Sequence, residues 1–467
     1  MRFVLVNAQA SIDSMHASGK SSLVKTPWAQ PLGLLYVAAV LEKQGHSVEC
    51  VDLLAEDWSE EKVKGWLSSK DAVGLSVDSF GYLEAAKITR VMKQLDSDLP
   101  IVIGGPHCTF YPQKSLGDIP DADISVEGEG ERAVVDIVEA LQGRKPWGDI
   151  AGVRFREGGV IKAGRPAEII TDLDALPFPA RHLVSKYEYG RFGRGFLYPP
   201  RFTSLATTRG CPFRCRFCTR HVVGMDMFRQ RSVASVTAEL SQIASEGFRS
   251  VMIVDDNFTT DASRVHGILD HIIAQGIDLE IVIQGSRVDT ADEALYAKMR
   301  RAGVKAINFG IESGNQDVLD FYRKNITLEQ IRRAVGLSHR MGFVTVGNFI
   351  LGAPIETRAH IRRTMRFARS LPLDYASFTI LRYSYHSDLW DEAFAAGKIT
   401  SEECYSVMSD SEKGLGNFTE GQLRSYERQA LLNVYAQPSY VARQLVRLVR
   451  THDFSQMRIL ASSLTRL

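Results

Sequence analysis

Residues 204–220 read SLATTRGCPFRCRFCTR, a short apolar run that ends in three cysteines separated first by three and then by two residues. Thiolates at that spacing, reached from one short loop, can occupy three irons of a 4Fe-4S cluster, and the absence of a fourth cysteine nearby leaves one iron open. Cys211, Cys215 and Cys218 are therefore the catalytic and metal-ligating candidates. Two alternatives stand beside this: zinc, which normally takes four protein ligands or three plus water, and inert buried cysteine. Gly210 and Pro212 suit a tight loop that exposes backbone to the cluster.

Working outward, the apolar run before the cysteines is the first of several. SVMIVDD (250–256), LEIVIQG (279–285), AINFGIE (306–312), TVGNFILG (345–352) and YASFTIL (375–381) follow, each separated from the next by a stretch of helical periodicity. Six such units predict a partial or complete barrel of parallel strands over 196–398, with reactive groups at the carboxyl ends of the strands. Beyond it, 399–467 is helical and charged, and 425–450 is basic and amphipathic, which predicts a cap packed on the barrel or a surface for an anionic partner.

Ahead of the barrel the alternation has a different home. FVLVN (3–7), SVECVDL (47–53), AVGLSV (72–77), PIVIGG (100–105) and ADISVEG (122–128) alternate with helical patterns, so residues 1–145 are expected to form a doubly wound α/β domain around a parallel sheet. Ligands of such sheets lie outside the strands' carboxyl ends. Here those ends are Asn7, 77–79, Gly104-Gly105-Pro106-His107 and 127–131. Residues 146–195 break the rhythm with a Gly-Gly hairpin at 151–164 and a proline-stiffened linker at 172–184.

The bulk numbers agree with a multidomain globular protein. At 467 residues, 45% hydrophobic and 24% charged, the chain exceeds one ordinary core and matches neither disordered nor fibrous composition. A net charge of +1 gives no general attraction to nucleic acid. The N-terminal apolar run is too short for a secretory signal and no stretch reaches the roughly 20 apolar residues of a membrane span, so a cytoplasmic protein without a transmembrane segment is expected. Clustering of Cys211, Cys215 and Cys218, with Cys50, Cys108 and Cys404 scattered, suits a metal site in a reducing compartment better than a disulfide network.

The strand, the CxxxCxxC loop and the six strand–helix units resemble the radical S-adenosylmethionine superfamily over roughly 200–385. The resemblance implies that Cys211, Cys215 and Cys218 hold a 4Fe-4S cluster whose open iron binds S-adenosylmethionine, with Phe217 leaning over the nucleoside or simply packing. It places Asp255, Asp256 and Asn257 near the methionine moiety, although the more typical Gly-Gly-Glu is absent there. Glu312, with Ser313 beside it in GIESG, would meet the ribose hydroxyls, or else pair with Arg287. Gly347 and Gly352 in GNFILGAPIE would let backbone approach adenine, Glu356 would fix that loop, and Arg287 is a candidate carboxylate or substrate contact. Tyr383, Ser384, Tyr385 and His386 follow the sixth strand and either tune a substrate pocket or pack.

PLGLLYVAAVLEKQGHSVECVD (31–52), IVIGGPH (101–107) and SVEGEGE (125–131) are in turn similar to the cobalamin-binding domain that precedes such barrels in one large subfamily. Gly104, Gly105, His107, Glu127 and Gly128 would then line the cobalamin site. The loop SMHASG (14–19) carries Ser14 where an Asp would orient the imidazole of His16, so no residue is assigned as cobalt ligand. The combination implies methyl transfer from methylcobalamin to an unactivated carbon of a small molecule, pigment, lipid or natural-product intermediate through a 5'-deoxyadenosyl radical. A ring-forming or rearranging enzyme with the same cofactors is the near alternative, and a non-catalytic cluster or cobalamin sensor the distant one. A flavodoxin or ferredoxin is the expected electron donor.

Overall fold

The five N-terminal apolar runs become the parallel strands β1 (Arg2–Asn7), β2 (Ser47–Asp52), β3 (Ala72–Ser76), β4 (Ile101–Gly104) and β5 (Ile124–Val126). The structure is a computed structural model that describes residues 1–8, 27–192, 195–196, 201–400 and 405–451. His16 and Cys404 lie outside the described residues. The chain divides into two compact units, Met1–Arg201 and Phe202–Leu467.

In the first unit the strand order is β2-β1-β3-β4-β5, so the chain reverses its winding between β1 and β3. Because the strands are covered, they are apolar almost throughout: Val4, Val6, Val73 and Ile101 share a core with Val63, Ile88 and Met92 of helices α1 (Glu60–Leu67) and α2 (Tyr82–Leu95). The hairpin expected from the sequence forms as β6 (Val153–Glu157) and β7 (Val160–Ala163). Gly158 and Gly159 carry the positive φ of its two-residue turn, 59° and 81°. It is not a free-standing element, because Phe155 pairs antiparallel with Ile124 and so extends the same sheet.

In the second unit six parallel strands follow in chain order: β8 (Phe202–Leu205), β9 (Ser250–Ile253), β10 (Glu280–Ser286), β11 (Val304–Glu312), β12 (Val344–Leu351) and β13 (Tyr375–Ile380). Sequential order with helical crossovers is the arrangement of an open (β/α)6 barrel. The intervening helices are started by side-chain caps on Ser232, Asp261, Asp292, Thr327 and Thr357, each worth about 1 kcal/mol. A long helix, α3 (Glu420–Tyr435), then packs on β13, where the Tyr435 hydroxyl bonds both the amide and the carbonyl of Ala376 at 3.0 and 2.9 Å. No helix among the described residues is long and apolar enough to cross a membrane.

Candidate active site

The cysteine loop leaves β8 through Thr207 and Thr208, and its geometry is set from the next strand. Asp255, just past β9, accepts from the Thr207 amide at 2.6 Å, the Thr208 amide at 3.2 Å and the Thr207 hydroxyl. Burial pushes this carboxyl above its usual range, and the threonine bonds oppose that rise. Gly210 adopts φ +81° and lies so close to the chain at Met227 that a Cβ would come within 2.2 Å of its carbonyl oxygen. Thr208 and Arg209 pair antiparallel with Gln230 and Arg229, closing the loop on itself.

Cys211, Cys215 and Cys218 are all unbridged and partly exposed. Burial raises each thiol, Cys215 to about 11, while Lys324 and Arg287 pull Cys215 back toward the thiolate. Binding iron would offset the cost of ionising them. Among the described residues no three His, Cys, Asp or Glu side chains close tightly enough to hold a single metal ion. A cluster takes one thiolate at each of three irons, and this donor set fits it. Arg216, which the sequence did not single out, ties the loop to its surroundings: its guanidinium bonds the Phe321 carbonyl at 3.3 Å and Glu392 at 2.6 Å.

The structure places Phe217 against Tyr322, ring centroids 5.0 Å apart and nearly perpendicular. Asp256 is ion-paired with Arg220 at 3.2 Å. Asn257 is buried; its carbonyl accepts from Thr259 at 3.1 Å, but its Nδ2 donor has no partner. A buried donor left open at a strand end fits a carboxylate or carbonyl of a bound ligand. Glu312, at φ 65°, bonds Lys324 rather than Arg287, Nζ to Oε1 at 2.6 Å. Arg287 instead bonds Asp289 and the Lys324 carbonyl, both at 2.8 Å, and lies 3.8 Å over the Phe213 ring.

Three further candidates have packing roles of their own. Ser313 is fully buried, with its hydroxyl 3.2 Å from that of Thr364 and accepting from the Asn315 amide, so it orders the loop after β11. Gly347 sits inside β12, where a Cβ would meet Ile311 and Leu373 at 2.8 and 2.9 Å; its small size serves the core. Gly352 does end the strand, yet its amide is taken by Glu356 Oε2 at 2.6 Å, and the Ala353 amide by the same oxygen at 2.9 Å. Glu356 thus holds the loop, as the sequence suggested, and burial lifts its carboxyl to about 7.

In the first unit, Gly104 and Gly105 lie where β4 ends beside β3, and a Cβ on Gly105 would stand 3.0 Å from the Val77 carbonyl. His107, expected to line the ligand site, is wholly buried: Nδ1 lies 3.3 Å from Ser79 Oγ, Nε2 3.2 Å from Asp118, and Tyr82 stacks on the ring at 5.1 Å. Both nitrogens are occupied, which makes it a strut behind the strand ends. Glu127 reaches Arg154 at 3.5 Å, and the Gly128 amide donates to Thr109 at 3.0 Å. The strand ends also carry a network missed in the sequence, in which Asp52 accepts from Asn7 and Tyr189, each at 2.8 Å. Its members are 45 and 137 residues apart in the chain, so no local pattern announces it.

Comparison with known proteins falls on the same two regions. The radical SAM superfamily model matches residues 205–368 and the B12 binding domain model residues 27–138. An uncharacterised methyltransferase of Pyrococcus horikoshii is 30% identical over 419 residues, 89% of this chain and 90% of its own. The anaerobic magnesium-protoporphyrin IX monomethyl ester cyclase of Rubrivivax gelatinosus is 26% identical over 85% of this chain and 73% of its own. The radical S-adenosylmethionine methyltransferase TsrM from Kitasatospora setae, solved with cobalamin and a 4Fe-4S cluster bound, superposes with a TM-score of 0.70 at 18% identity, over 94% of this chain and 89% of its own, and so shares the fold. The chain therefore belongs to the cobalamin-binding radical S-adenosylmethionine enzymes, whose cofactors are a 4Fe-4S cluster, S-adenosylmethionine and cobalamin.

Proposed function

We propose that this enzyme transfers a methyl group to an unactivated carbon of a small-molecule or natural-product substrate, drawing electrons from a flavodoxin- or ferredoxin-type donor. When bound, the cluster and S-adenosylmethionine supply a carbon radical and cobalamin supplies a methyl carrier. The observation that carries the proposal is the union, in one chain, of a loop with three free thiols and a doubly wound domain matched by the B12 binding model. The methyltransferase relative across nine-tenths of its own length favours methyl transfer within that chemistry.

In this reading Cys211, Cys215 and Cys218 hold the cluster. The open Asn257 Nδ2 donates to the methionine end of the nucleotide, with Asp256 beside it in sequence. Glu312 accepts from the ribose hydroxyls, and Phe217, backed by Tyr322, walls the nucleoside off from water. Arg287 acts at one remove, by holding the loop that carries Lys324. In the first unit, the Gly104-Gly105 turn and the 127–128 segment follow the carboxyl ends of β4 and β5, where a doubly wound sheet receives a flat macrocycle.

The test is anaerobic reconstitution with cobalamin and methyl-labelled S-adenosylmethionine. Label entering the product, with one 5'-deoxyadenosine and one S-adenosylhomocysteine formed per methylation, is the expected result. Formation of 5'-deoxyadenosine with no label in the product would instead favour ring formation, the activity named for the cyclase relative.

A further inference from the structure

Lys324 belongs to no motif, yet it is a buried, ion-paired lysine in a segment that contacts the cysteine loop. Its ammonium is buried with Glu312 in an ion pair of 2.6 Å, their side chains 11% and 8% exposed. A buried pair of this kind is a poor investment for stability alone, since two apolar side chains of the same volume would usually serve the fold as well or better. The backbone is nevertheless distorted to make it. Glu312, Arg323 and Asn325 all sit in the left-handed region, at φ 65°, 51° and 52°, which non-glycine residues rarely adopt. Gly310 is bare for the same reason, because a Cβ there would come within 2.6 Å of Glu312 Oε1 and 2.8 Å of Lys324 Nζ. Arg287 then clamps the carbonyls of Lys324 and Asn325, at 2.8 and 3.4 Å. The segment that leads into Lys324 meets the cysteine loop directly: between Cys215 and Cys218, Arg216 donates its amide to the Tyr322 carbonyl at 3.1 Å and its guanidinium to the Phe321 carbonyl at 3.3 Å.

We propose that Lys324 is a positioning residue that serves both cofactors of the barrel: its ammonium holds the Glu312 carboxylate aimed as the acceptor for the ribose, and its charge raises the reduction potential of the cluster. Reduction adds a negative charge to the cluster, and a fixed cation close by in a water-poor site favours the reduced form. Glu312 opposes this, so the pair sets the local charge together. The inference rests on Cys211, Cys215 and Cys218 being the cluster ligands.

The test is a potentiometric titration of the reconstituted full-length protein followed by electron paramagnetic resonance, with equilibrium binding of S-adenosylmethionine measured in parallel. Lys324→Met is expected to move the cluster potential to more negative values by a tenfold change in the one-electron equilibrium, about 59 mV. It is also expected to weaken nucleotide binding on the order of tenfold. Lys324→Arg, which keeps the charge, should restore both. Glu312→Gln should move the potential the other way, and it decides the matter if Lys324→Met fails to take up a cluster. A potential unmoved in Glu312→Gln, and in Lys324→Met wherever that variant carries a cluster, overturns the proposal. Absence of any cluster signal in the unaltered protein would instead remove the ligand assignment on which it rests.

Discussion

Asp255 offers the sharpest test of how the site is built, because its only evident task is to hold the start of the cysteine loop. Replacing it by alanine removes the acceptor of two buried backbone amides and one hydroxyl. Each buried donor left unpaired costs about 1–3 kcal/mol, and the hydroxyl can turn elsewhere, so Asp255→Ala should lose roughly 2–6 kcal/mol. Asp255→Asn keeps one oxygen to face the two amides while its own amide meets the hydroxyl, which can reverse its role; about 1–2 kcal/mol is expected. The assay is urea unfolding of the iron-free protein, read as a midpoint shift at constant slope, paired with iron and sulfide content after reconstitution. Cluster loading should fall in the same order as stability. An alanine variant that unfolds at the original midpoint yet cannot hold a cluster would refute this reasoning, since the carboxylate would then act on the bound group itself.

Other expectations follow from the same geometry. Glu356 has its carboxyl raised from 4.5 to about 7, so the folded chain holds that proton more tightly than the unfolded one. Its contribution is complete below the unfolded value and is lost as pH climbs through 7, a decline of about 3 kcal/mol that pH-dependent unfolding should detect and Glu356→Gln should flatten. His107→Gln should cost about 1–3 kcal/mol in stability while leaving the paramagnetic spectrum of bound cob(II)alamin unchanged; an altered cobalt signal would mean the ring touches the cofactor after all. Arg287→Ala should speed hydrogen exchange at 323–325 and around Phe213, and equal exchange in the two proteins would show that the clamp is idle.

What could be read in advance was whatever depends on neighbours in the chain. The cysteine spacing, the apolar runs of β1 to β5, the Gly158-Gly159 turn and the carboxylate of Glu356 three and four residues from the amides it holds are all local. Lys324, Arg216 and the Asp52 network were hidden, because their meaning comes from residues 12, 105 and 137 positions away. Ser313 and Gly347 lie inside motifs with a functional ring, but their packing neighbours are again remote in the chain: Thr364 beside the Ser313 hydroxyl just past the end of β11, and Ile311 and Leu373 around Gly347. His107, beside Gly-Gly at a strand end, reads as a lining residue of the cobalamin site, whereas Ser79 and Asp118 lie at hydrogen-bond distance from its two nitrogens, partners 28 and 11 residues away.

The hydroxyl of Tyr435 bears on how the protein behaves at high concentration. The last strand of an open barrel shows a row of bare peptide groups, a template on which another chain can add a strand. By engaging both peptide groups of Ala376, one phenol interrupts that row with a side chain in place of a neighbour. Tyr435→Phe would leave the rim adhesive, and solutions of the variant would turn cloudy where the parent stays clear.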